Sequence, residues 1–292
     1  MSTRFTSIPA GLGCRRADGA AVRRPWAWAL GLIVPVLAGC GASTTDEAAG
    51  TARPDTTAAV AGAPTDVGDP PRSSPPAVPD GPLPVGTSAQ GRPITSLSVG
   101  HGPRRVLFID GIHGDEQETG YSTAQLPGAF AAAGLADAVT LTIVADANPD
   151  GRAAGTRYNA NGVDLNRNFP ASNFDAAESV NGGTALSQPE SRALLATVDR
   201  VTPQLVIVAH SWAGDEFINF DGPARPIAEL FSAASGLPVR ESDSFTPTPG
   251  SLGSYLGRDR GTPVLTIEVR KGSDPEQVWE QIRAAVIEVV RS

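Results

Sequence analysis

Five short apolar runs constrain the fold of this 292-residue chain more than any other feature. Each is long enough for one buried strand, and they cover residues 94–99, 105–110, 139–145, 205–209 and 264–269. Stretches with the character of helices follow at residues 117–133, 189–200, 225–235 and 274–291, and Ser187 should cap the second of them. Strands that alternate with helices predict an α/β fold, with a mixed, largely parallel central sheet flanked by helices.

Polar residues that suit chemistry lie at or just past the ends of these runs. His113 and Glu116 follow the second run, Asn148 follows the third, His210 follows the fourth, and Glu268 lies near the end of the fifth. In largely parallel sheets, ligands bind beyond the carboxyl ends of the strands. We therefore expect these five side chains to converge on one site.

Residues 148–170 form the most polar stretch of the folded region. Asn-Pro, Asp-Gly and Asn-Gly pairs indicate tight turns, and too little apolar periodicity remains for a helix or a long strand. The stretch carries Arg157, Asn159, Asp164, Asn166, Arg167 and Asn168. Two guanidinium groups suit a carboxylate ligand. We interpret the stretch as a binding loop; the alternative is a solvated surface loop.

Two imidazoles and one carboxylate, from His113, Glu116 and His210, form a ligand set that suits zinc with one coordination position left open. Zinc lowers the pKa of a bound water and polarises a carbonyl group. Glu268 is the candidate to take a proton and pass it to a leaving amine. Taken singly, each histidine could equally be an ordinary turn or buried residue, whereas a carboxylate in an apolar strand is costly unless it is used or paired.

With these residues in view, the chain resembles the M14 zinc carboxypeptidase family. The motifs that carry the resemblance are His113-Gly114-Asp115-Glu116, Asn148-Pro149-Asp150-Gly151, the stretch GVDLNRNFP at residues 162–170, His210-Ser211, and Glu268 within TIEV. They span nearly the whole folded region. Within the family, the bacterial murein tripeptide amidases, which cut the γ-D-glutamyl–diaminopimelate bond of cell-wall peptides, are most similar.

The resemblance implies a role for each matching residue. His113, Glu116 and His210 would bind one zinc ion, and Asp164 would orient His113. Asn166 and Arg167 would hold the free carboxylate of the substrate. Glu268 would act as general base and later as general acid. Arg157 would polarise the scissile carbonyl. The family's substrate-closing tyrosine has no secure match, since Tyr255 lies too near Glu268 in sequence.

The first forty residues have the pattern of an export signal. Paired arginines precede an apolar run that ends in Leu-Ala-Gly-Cys40, which resembles the lipobox of bacterial lipoproteins. We expect residues 1–39 to be a signal peptide, Cys40 to be lipidated, and residues 40–80 to be a disordered Ala/Pro/Thr-rich tether. Residues 81–292 would then form a catalytic domain anchored to the membrane on its extracytoplasmic side. The alternative is a plain signal peptide with a chance cysteine.

Charge and cysteine content exclude some classes of function. Removing residues 1–39 takes away five arginines and one aspartate, and leaves 18 basic against 30 acidic residues. A chain this acidic is a poor binder of nucleic acid. Both cysteines precede the folded region, so no disulfide stabilises the domain. We expect a monomer that acts on murein peptides. The competing interpretations are a general metallocarboxypeptidase, a deacylase on a related scaffold, and a non-catalytic wall-binding lipoprotein.

Overall fold

The structure, a computed structural model, describes residues 81–242 and 248–292. The predicted signal peptide, the lipidation at Cys40 and the tether at 40–80 lie outside the described residues. Among those residues, no helix combines the length and the apolar character needed to cross a membrane.

One eight-stranded sheet runs through the domain, with the strand order β1-β2-β4-β3-β5-β8-β6-β7. The strands are β1 (Leu83–Thr87), β2 (Pro93–Val99), β3 (Arg104–Ile109), β4 (Val139–Val144), β5 (Leu205–Trp212), β6 (Phe217–Asp221), β7 (Val239–Glu241) and β8 (Val264–Arg270). The central strands β4, β3, β5 and β8 are mutually parallel, while β2 and β6 pair antiparallel to β4 and β8. The carboxyl ends of the four central strands therefore meet at one edge.

Helices cover both faces of this sheet. They are α1 (Gly120–Ala132), α2 (Pro149–Ala154), α3 (Pro189–Val201), α4 (Arg225–Ser235) and α5 (Pro275–Arg291). Apolar residues of α1, α4 and α5 share one buried cluster with alternate residues of the central strands. The other cluster contains α3 and the remaining strand residues, together with Leu165 and Phe169 from the polar loop. The loop is thus anchored into the core on the face opposite α5.

The expected α/β fold is confirmed, because all five predicted strands and all four predicted helices occur with small shifts at their ends. The fourth strand continues beyond its apolar run to Trp212, so His210 lies inside β5. The predicted cap was wrong: Gln188 occupies the cap position of α3 without a side-chain bond, and the Ser187 hydroxyl instead lies 2.9 Å from Nδ2 of Asn168.

Strands β1, β6 and β7 and helix α2 were not predicted from the sequence. Residues 148–170 were expected to contain no helix, and this was wrong at their start, because Pro149–Ala154 form the short helix α2. Asn148 accepts a hydrogen bond from the N–H of Gly151, Pro149 occupies the first turn, and Gly155 ends α2 in the left-handed conformation. Local capping therefore outweighs the missing apolar periodicity.

Candidate metal and peptide site

The loop after β3 is built to bring His113 and Glu116 back over the sheet edge. The buried carboxylate of Asp110 accepts hydrogen bonds from the N–H of Gly111 and from the hydroxyls of Thr119 and Thr123. These bonds tie the start of the loop to the start of α1. The loop that they close carries both predicted ligands.

Two glycines allow this loop to pack directly on α2. A Cβ atom added to Gly114 would lie 1.9 Å from the carbonyl carbon of Gly151, so no larger residue fits there without movement. Asn148 also donates to the carbonyl oxygen of Ile112 at 3.3 Å. The HGDE and NPDG motifs are therefore in backbone contact, and together they form one wall of the site.

Three buried donor groups meet at this edge. Nδ1 of His113 lies 2.8 Å from Oε1 of Glu116, and Nδ1 of His210 lies 2.8 Å from Oε2 of the same carboxylate. One donor atom from each residue falls within 4.8 Å of the others. The N–H of Ser211 also donates to Oε2 of Glu116 at 3.1 Å. The three predicted metal ligands are thus brought together in a set that suits zinc.

Asp164 lies on the side of the His113 ring that faces away from Glu116. Its Oδ1 lies 3.1 Å from Nε2 of His113, and its Oδ2 accepts a bond from Nε of Arg157 at 3.0 Å. Nη1 of Arg157 reaches Oε1 of Glu116 at 3.3 Å, while Nη2 makes no hydrogen bond to any described residue. One edge of this guanidinium is therefore held by protein, and the other is available.

Asn166 and Arg167 lie at the opposite side of the cluster. Nδ2 of Asn166 lies 3.3 Å from Nε2 of His210, and its Oδ1 accepts a bond from the N–H of Leu252 at 3.0 Å. Arg167 donates to the carbonyl oxygen of Asn166 and forms no ion pair with a described carboxylate. A half-buried guanidinium without a carboxylate partner is a ready anion-binding group.

Glu268 joins the cluster from β8, where it is the register partner of His210 on β5. Its carboxylate accepts no hydrogen bond from a described residue. Burial raises the pKa of Glu268, although the field of His210 opposes that shift. The pKa of Glu116 shifts in the opposite direction. Its interactions with the adjacent histidines outweigh the effect of burial and hold that pKa well below the ordinary value. The two glutamates are thus differentiated by their surroundings.

Two of the predicted loop donors belong to the scaffold instead. Asn159 is buried and donates to Gln188 and Glu190, while its Oδ1 accepts the N–H groups of Asn161 and Val163. Asn168 is also fully buried and ties its loop to the carbonyl oxygens of residues 181 and 184. Arg157, Asp164 and Asn166 contact the donor cluster, and Arg167 follows Asn166 directly, whereas these two asparagines tie the loop to the scaffold.

Several other residues lie away from the cluster. The half-buried ring of Tyr255 packs against the α3-side core, with the guanidinium of Arg260 5.5 Å from its centroid. His101 forms an exposed pair with Asp137. Sequence reasoning missed Glu118, which accepts bonds from Ser211 Oγ at 2.6 Å and from the N–H of Gly272 at 2.7 Å. Its position in an irregular loop carries no periodic signal.

Comparison with known proteins agrees with this geometry. A sequence model described as zinc carboxypeptidase matches residues 82–222. Murein peptide amidase A from Escherichia coli (strain K12) is 32% identical over 209 residues, which cover 63% of this chain and 80% of that protein. Its namesake from Vibrio campbellii is 30% identical over 183 residues, which cover 56% of this chain and 69% of that protein.

Solved structures show the same similarity. The crystal structure of murein-tripeptide amidase from Escherichia coli O157 is 28% identical and gives a TM-score of 0.59, with 76% of this chain and 97% of that chain covered. Carboxypeptidase A from Helicoverpa armigera gives a TM-score of 0.61 at 18% identity, with 72% and 67% covered. The second likeness shows the fold alone.

Proposed function

Because the chain belongs to the M14 zinc carboxypeptidase family, we propose that this peptidase depends on zinc and releases a C-terminal residue that has a free carboxylate. The observation that carries the proposal is one convergence: His113, Glu116 and His210 meet beside Glu268 and beside the carboxylate-free guanidinium of Arg167. A metal-donor set and an anion-binding group on one edge suit hydrolysis next to a terminal carboxylate.

The donor residues fit a zinc ion. Both histidines present Nδ1 to the same carboxylate, and all three residues are buried. Asp164 lies 3.1 Å from the far nitrogen of His113, where a carboxylate fixes the orientation of the ring. Zinc held by these residues would polarise the scissile carbonyl and make a water molecule more acidic.

The remaining residues would position substrate and move protons. Arg167 and Asn166 would hold the terminal carboxylate, and the free Nη2 of Arg157 would stabilise charge on the carbonyl oxygen. Glu268 would accept a proton from the attacking water and donate it to the leaving amine. Burial raises the pKa of Glu268, which makes its carboxylate a stronger base toward the attacking water than an exposed glutamate would be.

We infer further that the substrate is a murein peptide cut at the γ-D-glutamyl–diaminopimelate bond. Two relatives at 32% and 30% identity are named murein peptide amidase A, which supports this choice. The signal-like residues 1–39 and Cys40 point the same way, because a lipoprotein anchored outside the cytoplasmic membrane would sit beside the wall polymer.

The test uses the full chain in detergent with one equivalent of zinc, incubated with L-Ala-γ-D-Glu-meso-diaminopimelate. We expect the protein to release free diaminopimelate, which mass spectrometry detects. This release should stop when a chelator removes the zinc. Glu268→Gln should lower kcat by a factor of about 10² to 10⁴ while zinc stays bound. Glu280→Gln, which changes an exposed glutamate on α5, is the matched control.

Other outcomes would select a competing function. Cleavage of α-linked L-peptides in place of the γ-linked peptide would indicate a general metallocarboxypeptidase. Full zinc occupancy without cleavage of either peptide class would remove the catalytic proposal, and a non-catalytic wall-binding protein would then be favoured.

A further inference from the structure

Glu118 connects the loop that carries His113 and Glu116 to two other segments of the chain. Its Oε2 accepts a hydrogen bond from Ser211 Oγ at 2.6 Å, and its Oε1 accepts one from the N–H of Gly272 at 2.7 Å. Ser211 belongs to β5, and Gly272 follows the end of β8, so the three residues come from three separate elements. One half-buried carboxylate therefore joins the loop to both strands.

The strands that Glu118 contacts carry the third predicted metal ligand and the candidate general base. Ser211 directly follows His210 in β5, and Gly272 lies four residues after Glu268. His210 and Glu268 are register partners on the neighbouring strands β5 and β8. Glu118 is thus bonded to each strand that contributes a group to the proposed zinc chemistry.

Ser211 links Glu118 to the ligand carboxylate itself. Its backbone N–H donates to Oε2 of Glu116 at 3.1 Å, while its hydroxyl donates to Glu118. Nδ1 of His210 lies 2.8 Å from the same oxygen of Glu116. Ser211 is buried, and a hydrogen bond to a charged acceptor is stronger than one between neutral groups. The bond to Glu118 therefore fixes the peptide that holds His210 and Glu116 against each other.

Other contacts hold the same loop to other parts of the domain. Asp110 ties its start to α1, and Gly114 packs on α2. Lys271 pairs with Asp115, but both side chains are partly exposed, and ion pairs of that kind contribute little. The bonds of Glu118 are therefore the stronger link to the turn after β8 in the described part of the chain.

Both oxygens of Glu118 are used in this link. The carboxylate forms no ion pair with a described lysine, arginine or histidine, and its charge strengthens the bonds that it accepts. An apolar residue at position 118 would leave the hydroxyl of Ser211 and the N–H of Gly272 without these acceptors. Such a change would release the loop from both strands at once.

We propose that Glu118 is a positioning residue that fixes Glu116, His210 and Glu268 relative to one another. This inference rests on the proposed function, because it takes Glu116 and the two buried histidines to hold zinc. Glu118 acts through the serine and the glycine N–H that it binds. Without these bonds, the loop and the strand ends would adopt a wider range of relative positions, and the donor set would be less well preorganised for a metal.

The test measures metal binding by the full chain in detergent. Zinc affinity is obtained by competition against a chelator of known affinity, and cobalt(II) replaces zinc as a spectroscopic probe of the donor geometry. Glu118→Ala should weaken zinc binding by about 10- to 100-fold and change the visible absorption bands of the cobalt protein. Glu229→Ala, which removes an exposed carboxylate on α4, is the matched control and should leave both unchanged.

Glu118→Gln separates the hydrogen bonds from the charge. Its amide oxygen can accept the N–H of Gly272, and its amide nitrogen can donate to Ser211 Oγ, since a hydroxyl both donates and accepts. This variant should keep the wild-type cobalt spectrum, with zinc affinity within about threefold of the wild type. An equal loss in Glu118→Gln and Glu118→Ala would show that Glu118 acts through its charge, and would overturn the positioning role.

Ser211→Ala provides a further variant if Glu118→Ala does not fold. It removes the hydroxyl and keeps the N–H that Glu116 accepts, so it should weaken zinc binding by about 3- to 10-fold and also alter the cobalt spectrum. A residue that only stabilises the fold would lower the melting temperature and leave both metal readouts of the folded protein unchanged. That result in Glu118→Ala, or in Ser211→Ala in its place, would overturn the inference and leave the proposed function standing. A wild type that binds no zinc would instead overturn the proposed function.

Discussion

Asp164 holds the far side of the His113 ring. Its Oδ1 lies 3.1 Å from Nε2, while Nδ1, on the other side of the ring, lies 2.8 Å from Glu116. When Nε2 carries the proton and donates it to Asp164, the lone pair of Nδ1 is directed at the metal-donor cluster. Asp164 is itself held by Arg157, so the orientation of the histidine depends on a chain of polar contacts.

Replacing Asp164 by Asn should weaken zinc binding by about 10- to 100-fold, since loss of the carboxylate that hydrogen-bonds to a ligating histidine typically costs that much affinity. The measurement is competition for zinc against a chelator of known affinity. Asp199→Asn, which removes an exposed carboxylate paired with Arg260, should bind zinc as the wild type does. Wild-type affinity in Asp164→Asn would show that Asp164 does not position His113.

The surroundings of Arg167 predict that the protein prefers substrates with a free C-terminal carboxylate. Its guanidinium has a backbone carbonyl partner and no described carboxylate partner, so it is available for an anion. The wild type should cleave a peptide acid about 10- to 100-fold better than the matching C-terminal amide, and Arg167→Gln should remove most of that difference. Steady-state kcat/KM values for both peptides provide the measurement.

The control for Arg167 is Arg283→Gln on the surface of α5, which should preserve the preference for the acid. If Arg167→Gln slows the acid and the amide by the same factor, the residue acts on folding or on the reacting centre. Its assignment as the carboxylate-binding group would then be wrong.

The sequence was informative where the strand pattern and the polar residues coincide. His113, His210 and Glu268 could be placed on one edge because each follows or ends an apolar run, and parallel strands bring such positions together. Motif resemblance then supplied their roles. Polarity alone did not distinguish Asn166, which contacts His210, from Asn168, which ties a loop together, because both are asparagines in the same stretch.

The pairing of strands that are distant in sequence cannot be predicted from local sequence patterns. β6 is five residues long with no apolar alternation that separates it from a loop, and it becomes a strand by pairing antiparallel with β8. The register of that pairing puts Asp221 on the face of Glu268. Local sequence contains no information on this register, so the position of Asp221 on this face could only be found in the structure.

Asn159 should be a stability residue. Its amide donates to the fully buried Glu190, and its oxygen accepts two backbone N–H groups. Asn159→Ala should lower the free energy of unfolding by about 2–3 kcal/mol, because it leaves buried partners unsatisfied. Asn159→Asp should cost about 3 kcal/mol or more, because it places a second carboxylate beside Glu190.

Urea unfolding with an unchanged m-value measures these losses. Asn161→Ala removes one amide contact to Gln188 at an exposed position and should cost about 1 kcal/mol or less. If Asn159→Asp were as stable as the wild type, the network around Glu190 would not stabilise the loop as the contacts indicate.

Asp221 should reduce stability at neutral pH, because its partly buried carboxylate has no ion-pair partner among the described residues. Burial raises its pKa in the folded state, against the effects of Ser242 and Arg258, so the folded protein holds this proton more tightly than the unfolded chain does. The stability contributed by the protonated group is complete below the pKa of the unfolded chain, near 3.8, and is lost as the pH rises through the pKa of the folded protein.

In metal-free protein, Asp221→Asn should therefore melt at a higher temperature than the wild type at pH 7, and the difference should shrink or reverse at pH 3.5. Melting curves of both proteins in buffers of equal ionic strength measure this, since other titrating groups cancel in the comparison. A variant less stable than the wild type by the same margin at both pH values would show that Asp221 is a satisfied structural carboxylate.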